Sequence, residues 1–160
     1  MSEKLKMTVN GIVRSVDYEG KESLLELLRE RLELTGAKEG CGYGACGTCC
    51  VVVNGEAVMG CTYRGRAKLE NCEVLTIEGL TGDDGELHPI QQSFVEAGAV
   101  QCGFCTPGFV MRLYALYTKN VDASDEEIKS ELSKHICRCT GYEAIWDAAK
   151  LAQKKMKELK

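Results

Sequence analysis

Residues 39–61 read EGCGYGACGTCCVVVNGEAVMGC. Cys41, Cys46 and Cys49 stand as Cys-x4-Cys-x2-Cys, and a fourth cysteine, Cys61, follows after eleven residues. Gly40, Gly42, Gly44 and Gly47 are interleaved with the first three, so the loop can wrap closely and adopt positive φ. Cys50 to Val53 and Glu56 to Met59 are rich in β-formers and flank Asn54-Gly55, a dipeptide that favours a tight hairpin turn. The hairpin returns the chain so that Cys61 can close a site opened by the loop. This stretch therefore predicts four thiolates gathered by one glycine-rich loop and one hairpin, at the heart of a small sheet.

That spacing is the ligand spacing of a plant-type [2Fe-2S] centre. Such a centre needs four thiolates converging on a small anionic core, with backbone N–H groups aimed at its sulfurs. A phosphate loop is the rival for so many glycines, but no Gly-Lys-Ser/Thr follows and the loop lacks a strand immediately before it and a helix immediately after. Structural zinc usually pairs two short Cys-x2–4-Cys knuckles, which the three-plus-one arrangement does not match. Period-two alternation sends Cys50 to the face opposite Cys49, where it is predicted to pack as a small hydrophobe. Cys72, just before a strand, is predicted to be a free thiol.

The whole chain sets the context. Its 160 residues allow one ordinary domain or two small ones, and 44% hydrophobic with 28% charged residues is a globular balance. A net charge of −4 argues against a nucleic-acid surface, which needs clustered Lys and Arg. The 10 cysteines fall in two groups, six from Cys41 to Cys72 and four from Cys102 to Cys139. The beginning of the sequence is charged and leads into an alternating stretch without an apolar leader, and no uncharged run reaches the length of a membrane span. A cytoplasmic protein without a membrane span is expected, and in a reducing compartment dense cysteines serve as metal ligands or redox groups.

Outward from the loop, the pattern divides in two. Leu5 to Asn10 and Ile12 to Tyr18 predict a hairpin across Asn10-Gly11. Ser23 and Glu26 form a capping-box pattern before a helix with Leu24, Leu25, Leu27, Leu28, Leu32 and Leu34 on a broad apolar face. Glu73 to Ile77 alternates as a further strand. A Gly/Asp linker, residues 78–85, then marks the boundary, giving expected domains 1–79 and 80–160. Beyond it lie four predicted helices, Pro89 to Ala97, Pro107 to Asn120, Asp125 to Lys134 and Tyr142 to about Lys157. The second of these is apolar on nearly every side and should be the central helix or part of a contact with another chain.

The second half holds Cys102-Gly-Phe-Cys105 and Cys137-Arg-Cys139, with 31 residues between the pairs. By spacing alone these thiolates suit zinc or iron-sulfur. Thr106-Pro107 reads as an N-cap and first helical residue, and Thr140 with Glu143 as a capping box, so both pairs are expected at helix starts. Two helix N-termini would direct partial positive charge at the tetrathiolate site and favour its reduced state. Arg138 could offset the same charge. His88 and His135 read as structural or surface residues. No Ser-His-Asp pattern, catalytic carboxylate pair or Rossmann glycine motif is present, so no catalytic residue is expected on this chain.

The motifs Glu39-Gly-Cys-Gly-Tyr-Gly-Ala-Cys-Gly-Thr-Cys, Gln101-Cys-Gly-Phe-Cys-Thr-Pro-Gly and Cys137-Arg-Cys-Thr-Gly-Tyr142 resemble those of the small iron-sulfur subunit of molybdenum hydroxylases. That family includes xanthine dehydrogenase, aldehyde oxidoreductase, carbon monoxide dehydrogenase and nicotinate dehydrogenase. The resemblance spans roughly Lys4 to Ala152. It implies an α+β chain, a β-grasp ferredoxin domain followed by a four-helix domain, each with a [2Fe-2S] cluster. It further implies that Cys102, Cys105, Cys137 and Cys139 hold a proximal cluster and Cys41, Cys46, Cys49 and Cys61 a distal one. Gln101 and Cys139 would lie against a molybdenum-pterin on a large subunit, and FAD would sit on a medium subunit. The family more often has Thr where this chain has Cys50. The resemblance implies an electron-transfer subunit of a multi-subunit oxidoreductase, xanthine dehydrogenase-like in setting. The aromatic residues near Cys105, Phe104 and Phe109, are expected either to line the partner contact or to pack in the core. A free-standing two-cluster ferredoxin or redox sensor is the alternative, and a zinc-dependent interaction module a third reading.

Overall fold

The computed structural model describes residues 3–82 and 84–159. Met1 and Ser2 of the charged beginning, Asp83 of the linker and the terminal Lys160 lie outside the described residues.

The two hairpins form where their turn dipeptides place them. Asn10 and Gly11 take φ of 52° and 77° between β1 (Glu3–Val9) and β2 (Ile12–Tyr18), and Asn54 and Gly55 take 50° and 81° between β3 (Cys50–Val53) and β4 (Glu56–Met59). Asn and Gly tolerate this left-handed geometry, which matches the twist of the paired strands. With β5 (Glu73–Leu75) the strands make one mixed sheet in the order β2-β1-β5-β3-β4, in which only β1 and β5 run parallel.

One helix crosses this sheet, as expected. Glu26 accepts the Ser23 N–H at 2.6 Å and Ser23 Oγ accepts the Glu26 N–H at 3.3 Å, closing the capping box of α1 (Leu24–Glu26). The helix then widens into a π-helical turn, Leu27–Arg31, and stops before Leu32 and Leu34, short of the predicted apolar run. Those two leucines pack, half-buried, against the same core. The sequence reading also missed a short helix, α2 (Arg66–Leu69), and extended β5 too far, because Ile77–Gly79 turns as a 3-10 helix.

The other half is helical: α3 (Pro89–Glu96), α4 (Thr106–Lys119), α5 (Asp125–Leu132) and α6 (Glu143–Glu158). The central role expected of α4 is met, with Phe109, Val110, Met111 and Leu113 all buried. Phe109 is therefore core rather than partner surface, while Phe104 is 44% exposed.

Strand β3 is shared by two cores. Val51 and Val53 face a core with Leu5, Met7, Leu24 and Leu28, whereas Cys50 and Val52 face the core of the helices. Strict alternation along one strand thus welds the two halves. The weld is tight at Gly108 of α4, where an added Cβ would lie 2.4 Å from the Gly47 carbonyl oxygen.

Candidate metal centres

The loop and the β3–β4 hairpin bring Cys41, Cys46, Cys49 and Cys61 together as two pairs. Cys49 immediately precedes β3 and Cys61 lies just past β4, and the Gly60 N–H donates to the Cys49 carbonyl at 3.1 Å. That register leaves Cys49 Sγ and Cys61 Sγ 3.4 Å apart and buried. Cys41 and Cys46 form the second, half-exposed pair, with their thiols in contact. Cys46 Sγ is 3.1 Å from Thr48 Oγ1, and a Cβ on Gly40 would come within 2.9 Å of Cys46 Sγ, so glycine is needed there for the close approach.

The electrostatics of the two pairs differ. Burial opposes ionisation of Cys41, but the N–H groups of Tyr43, Cys46 and Ala45 all point at its sulfur and bring its pKa down to about 6. The Ala45 N–H donates at 3.3 Å. Cys49 is pushed up to about 12, first by burial and then by the adjoining Cys61 thiol. A loop that already stabilises one thiolate and crowds a second lacks only cationic charge in its middle, which iron supplies.

The second group repeats this pattern. Cys102 Sγ and Cys139 Sγ are 3.5 Å apart and exposed, while Cys105 and Cys137 are buried and in thiol contact. Cys105 is pushed up to about 12 by burial and by the Cys137 and Cys102 thiols. Burial also works against the Cys137 thiolate, but the Thr140 hydroxyl and N–H and the Cys139 N–H lower its pKa. The Thr140 hydroxyl donates to Cys137 Sγ at 3.2 Å.

Helix starts flank this group, though not with the caps the sequence suggested. Cys105 itself is the N-cap of α4, and Thr106 is the first helical residue. Tyr142, with φ of 72°, is the N-cap of α6 and makes no side-chain cap, so the expected Thr140–Glu143 capping box does not form. The Thr140 hydroxyl instead donates to the Cys137 sulfur and accepts the Tyr142 N–H at 3.3 Å. The Tyr142 hydroxyl accepts the Cys137 N–H at 2.9 Å and ties the ligand loop to the helix start. Arg138 and Gln101 are exposed, and Gln101 adjoins the exposed Cys102–Cys139 pair.

Both groups fit a two-iron cluster better than a single ion. Four thiolates on one zinc would all stand about 3.8 Å from one another, as edges of a tetrahedron with 2.3 Å bonds. Among the described residues no group of three or more His, Cys, Asp or Glu side chains is arranged to hold one ion. Two close pairs per group match two irons, each bearing two thiolates.

The remaining candidates separate cleanly. Cys50 is buried in the core of the helices, as expected of a small hydrophobe, and Cys72 is a free thiol buried in the core of the sheet. His88 caps α3, its Nδ1 accepting the Ile90 N–H at 3.3 Å. His135 is buried against Phe109, ring centroids 4.9 Å apart, and covers Gly47 of the first loop. The Ile136 N–H donates to the Cys46 carbonyl at 3.0 Å, so the two ligand loops touch through one hydrogen bond. Sequence reasoning missed Arg112, the single charge on the buried length of α4, although its intrusion into an otherwise apolar run was a visible signal.

Comparison with known proteins agrees. Residues 7–77 match the family described as 2Fe-2S iron-sulfur cluster binding domain, and residues 76–150 the family described as [2Fe-2S] binding domain. The chain is 44% identical over 148 residues to the nicotinate dehydrogenase small FeS subunit of Eubacterium barkeri, covering 92% of this chain and 93% of that one. It is 40% identical over 144 residues to the aldehyde oxidoreductase of Megalodesulfovibrio gigas, covering 89% of this chain but 16% of that much longer protein. Among solved structures, quinoline 2-oxidoreductase from Pseudomonas putida 86 superposes with a TM-score of 0.90 at 33% identity, over 98% of this chain and 97% of that chain.

Proposed function

The chain belongs to the iron-sulfur subunits and domains of the molybdenum hydroxylase family, and from that premise we propose that it relays single electrons from a large molybdenum-pterin subunit to FAD on a medium subunit. In this reading Cys102, Cys105, Cys137 and Cys139 hold the proximal [2Fe-2S] cluster and Cys41, Cys46, Cys49 and Cys61 the distal one. When bound, the clusters supply one-electron carriers, which let a two-electron oxidation drain stepwise. The domain boundary falls at Gly79 and Leu80.

One observation carries the proposal: each half gathers two thiol pairs, and the two gathering loops meet at the Ile136 to Cys46 hydrogen bond of 3.0 Å. Through-bond coupling between the lobes then needs only the short backbone from Cys137 to Ile136 and that bond. This chain's own residues set the geometry. Tyr142 and Thr140 fix Cys137, Gly47 and Gly108 let the loops approach, and His135 fills the seam. The exposed Cys102, Cys139 and Gln101 are available to a pterin on the large subunit, and Tyr43, beside Cys41 on the first loop, is exposed and available to the flavin-bearing subunit.

The substrate is selected on the partner. Relatives and a structural neighbour that match over most of their own length are named for nicotinate, nicotine, xanthine and quinoline, all nitrogen heteroaromatics, whereas the aldehyde oxidoreductase matches over only 16% of its length. That class contains the xanthine dehydrogenase-like setting and is the substrate class we propose. No helix among the described residues is long and apolar enough to cross a membrane, and all ten cysteines are free, which supports a cytoplasmic location. Native purification tests the assignment. Co-elution with a molybdenum-containing subunit and a flavoprotein is expected. A brown chain that elutes alone would point instead to a free-standing carrier.

A further inference from the structure

Arg112 is out of place. It lies one turn beyond Gly108 on the α4 face that packs on β3 and β4, and it is 7% exposed. Its Nη1 lies 3.4 Å from Glu131 Oε2, a long contact, and its Nε has no hydrogen-bond partner among the described residues. Across the seam the guanidinium meets the sulfur of Cys50. Glu131 is shared with Lys134, and Lys119 pairs with Glu56 on the rim of the same 190 Å³ cleft. Three cations against two carboxylates leave this seam net positive. A buried, half-satisfied arginine costs stability, so structure alone gives little reason for it.

Its position suggests one. Cys50 opens β3 and follows Cys49 directly, and the two side chains lie in opposite cores, which puts the guanidinium on the order of 10 Å from Cys49 Sγ. At that range a unit charge in a partly buried setting changes a one-electron equilibrium by about tenfold. Resting on the relay reading above, we infer that Arg112, held between Cys50 and Glu131, is a fixed positive charge that raises the reduction potential of the centre at Cys41, Cys46, Cys49 and Cys61. Each electron that arrives there from the substrate-oxidising subunit adds one negative charge, leaves to the flavin, and requires no proton from Arg112. Making the second station easier to reduce draws electrons across the Ile136 to Cys46 contact.

The test is redox potentiometry of the reconstituted full chain, following each centre by its paramagnetic signal. At the wild-type midpoint of the distal centre, Arg112→Met should cut the reduced-to-oxidised ratio about tenfold, a downward shift of about 59 mV for one electron. Arg112→Lys should restore the ratio to within twofold, and the proximal centre should move less. Glu131→Gln, at a half-buried site on α5, should move the distal centre upward, and it keeps the inference testable if Arg112→Met does not fold. An unmoved distal centre in Arg112→Met or in Glu131→Gln overturns the inference while leaving the relay intact. A wild-type chain that takes up no cluster overturns the relay itself.

Discussion

Replacing Gly108 by alanine should destabilise the protein, against the usual sign of that change in a helix. Gly108 lies in the first turn of α4, and helix propensity alone would make alanine better by up to about 1 kcal/mol. The added Cβ, however, would sit 2.4 Å from the Gly47 oxygen, 3.1 Å from its carbonyl carbon and 3.2 Å from Thr48 Cα. All three are backbone atoms of the first ligand loop, so no side-chain rotation relieves the contact. Restoring an ordinary separation of 3.4 Å requires a shift of 1.0 Å (3.4 − 2.4) between α4 and the loop. A clash with backbone at 2.4 Å belongs in the upper part of the overpacking range, about 2–3 kcal/mol, which outweighs the propensity gain and leaves a net loss of roughly 1–2 kcal/mol. For a chain of this size that lowers the apparent Tm by roughly 2–8 °C. Thermal denaturation of the reconstituted protein, followed by circular dichroism and by bleaching of the visible chromophore, reads the effect. The same shift should weaken the magnetic coupling between the two centres. A Tm equal to or above wild type would show that the lobes are not packed this tightly.

Three further outcomes follow from particular contacts. Cys105→Ala should abolish the proximal centre's paramagnetic signal and turnover of the holoenzyme together while sparing the distal signal, and undiminished turnover would contradict the relay order. Tyr142→Phe removes the acceptor of the Cys137 N–H and should cost about 1 kcal/mol while altering the proximal signal's g-values. An unchanged spectrum would show that this bond does not shape the site. The Ser23 N–H and hydroxyl hold Glu26 below its ordinary value of 4.5, so its contribution is present above that pH and lost as pH falls through the lower folded value. Ser23→Ala removes the hydroxyl and keeps the N–H, so it should cost about 1 kcal/mol at pH 7 and flatten in part the decline in apoprotein Tm between pH 5 and pH 3, measured by calorimetry. A decline as steep as wild type would remove Glu26 from the account.

The parts legible in the sequence are those governed by local chemistry. Asn10-Gly11 and Asn54-Gly55 fixed both hairpins, because Asn and Gly adopt the positive φ of such turns more readily than other residues. The cysteine spacings identified both metal groups for a similar reason, since loop length determines which thiolates converge. The places where the reading failed were settled by competition over longer range. Thr140 does not cap α6, because its hydroxyl oxygen accepts the Tyr142 N–H before the helix begins while its proton goes to the Cys137 sulfur. Leu32 and Leu34 continued a helical pattern, but the backbone had to turn toward the ligand loop, and the π-helical turn at Leu27–Arg31 ends the helix first. For Phe109 the sequence left both a partner contact and the core open, and packing against His135 decides for the core. The interlock of Gly47, Gly108 and His135 joins residues distant in sequence and leaves no local signature beyond the glycines themselves.

Metal content decides the central claim. Anaerobically reconstituted full-length protein, assayed for iron and acid-labile sulfide and then fully reduced for spin quantitation, should give about four irons and four sulfides per chain and two distinct signals of about one spin each. A colourless zinc protein, or one that saturates at about two irons with a single signal, would contradict it.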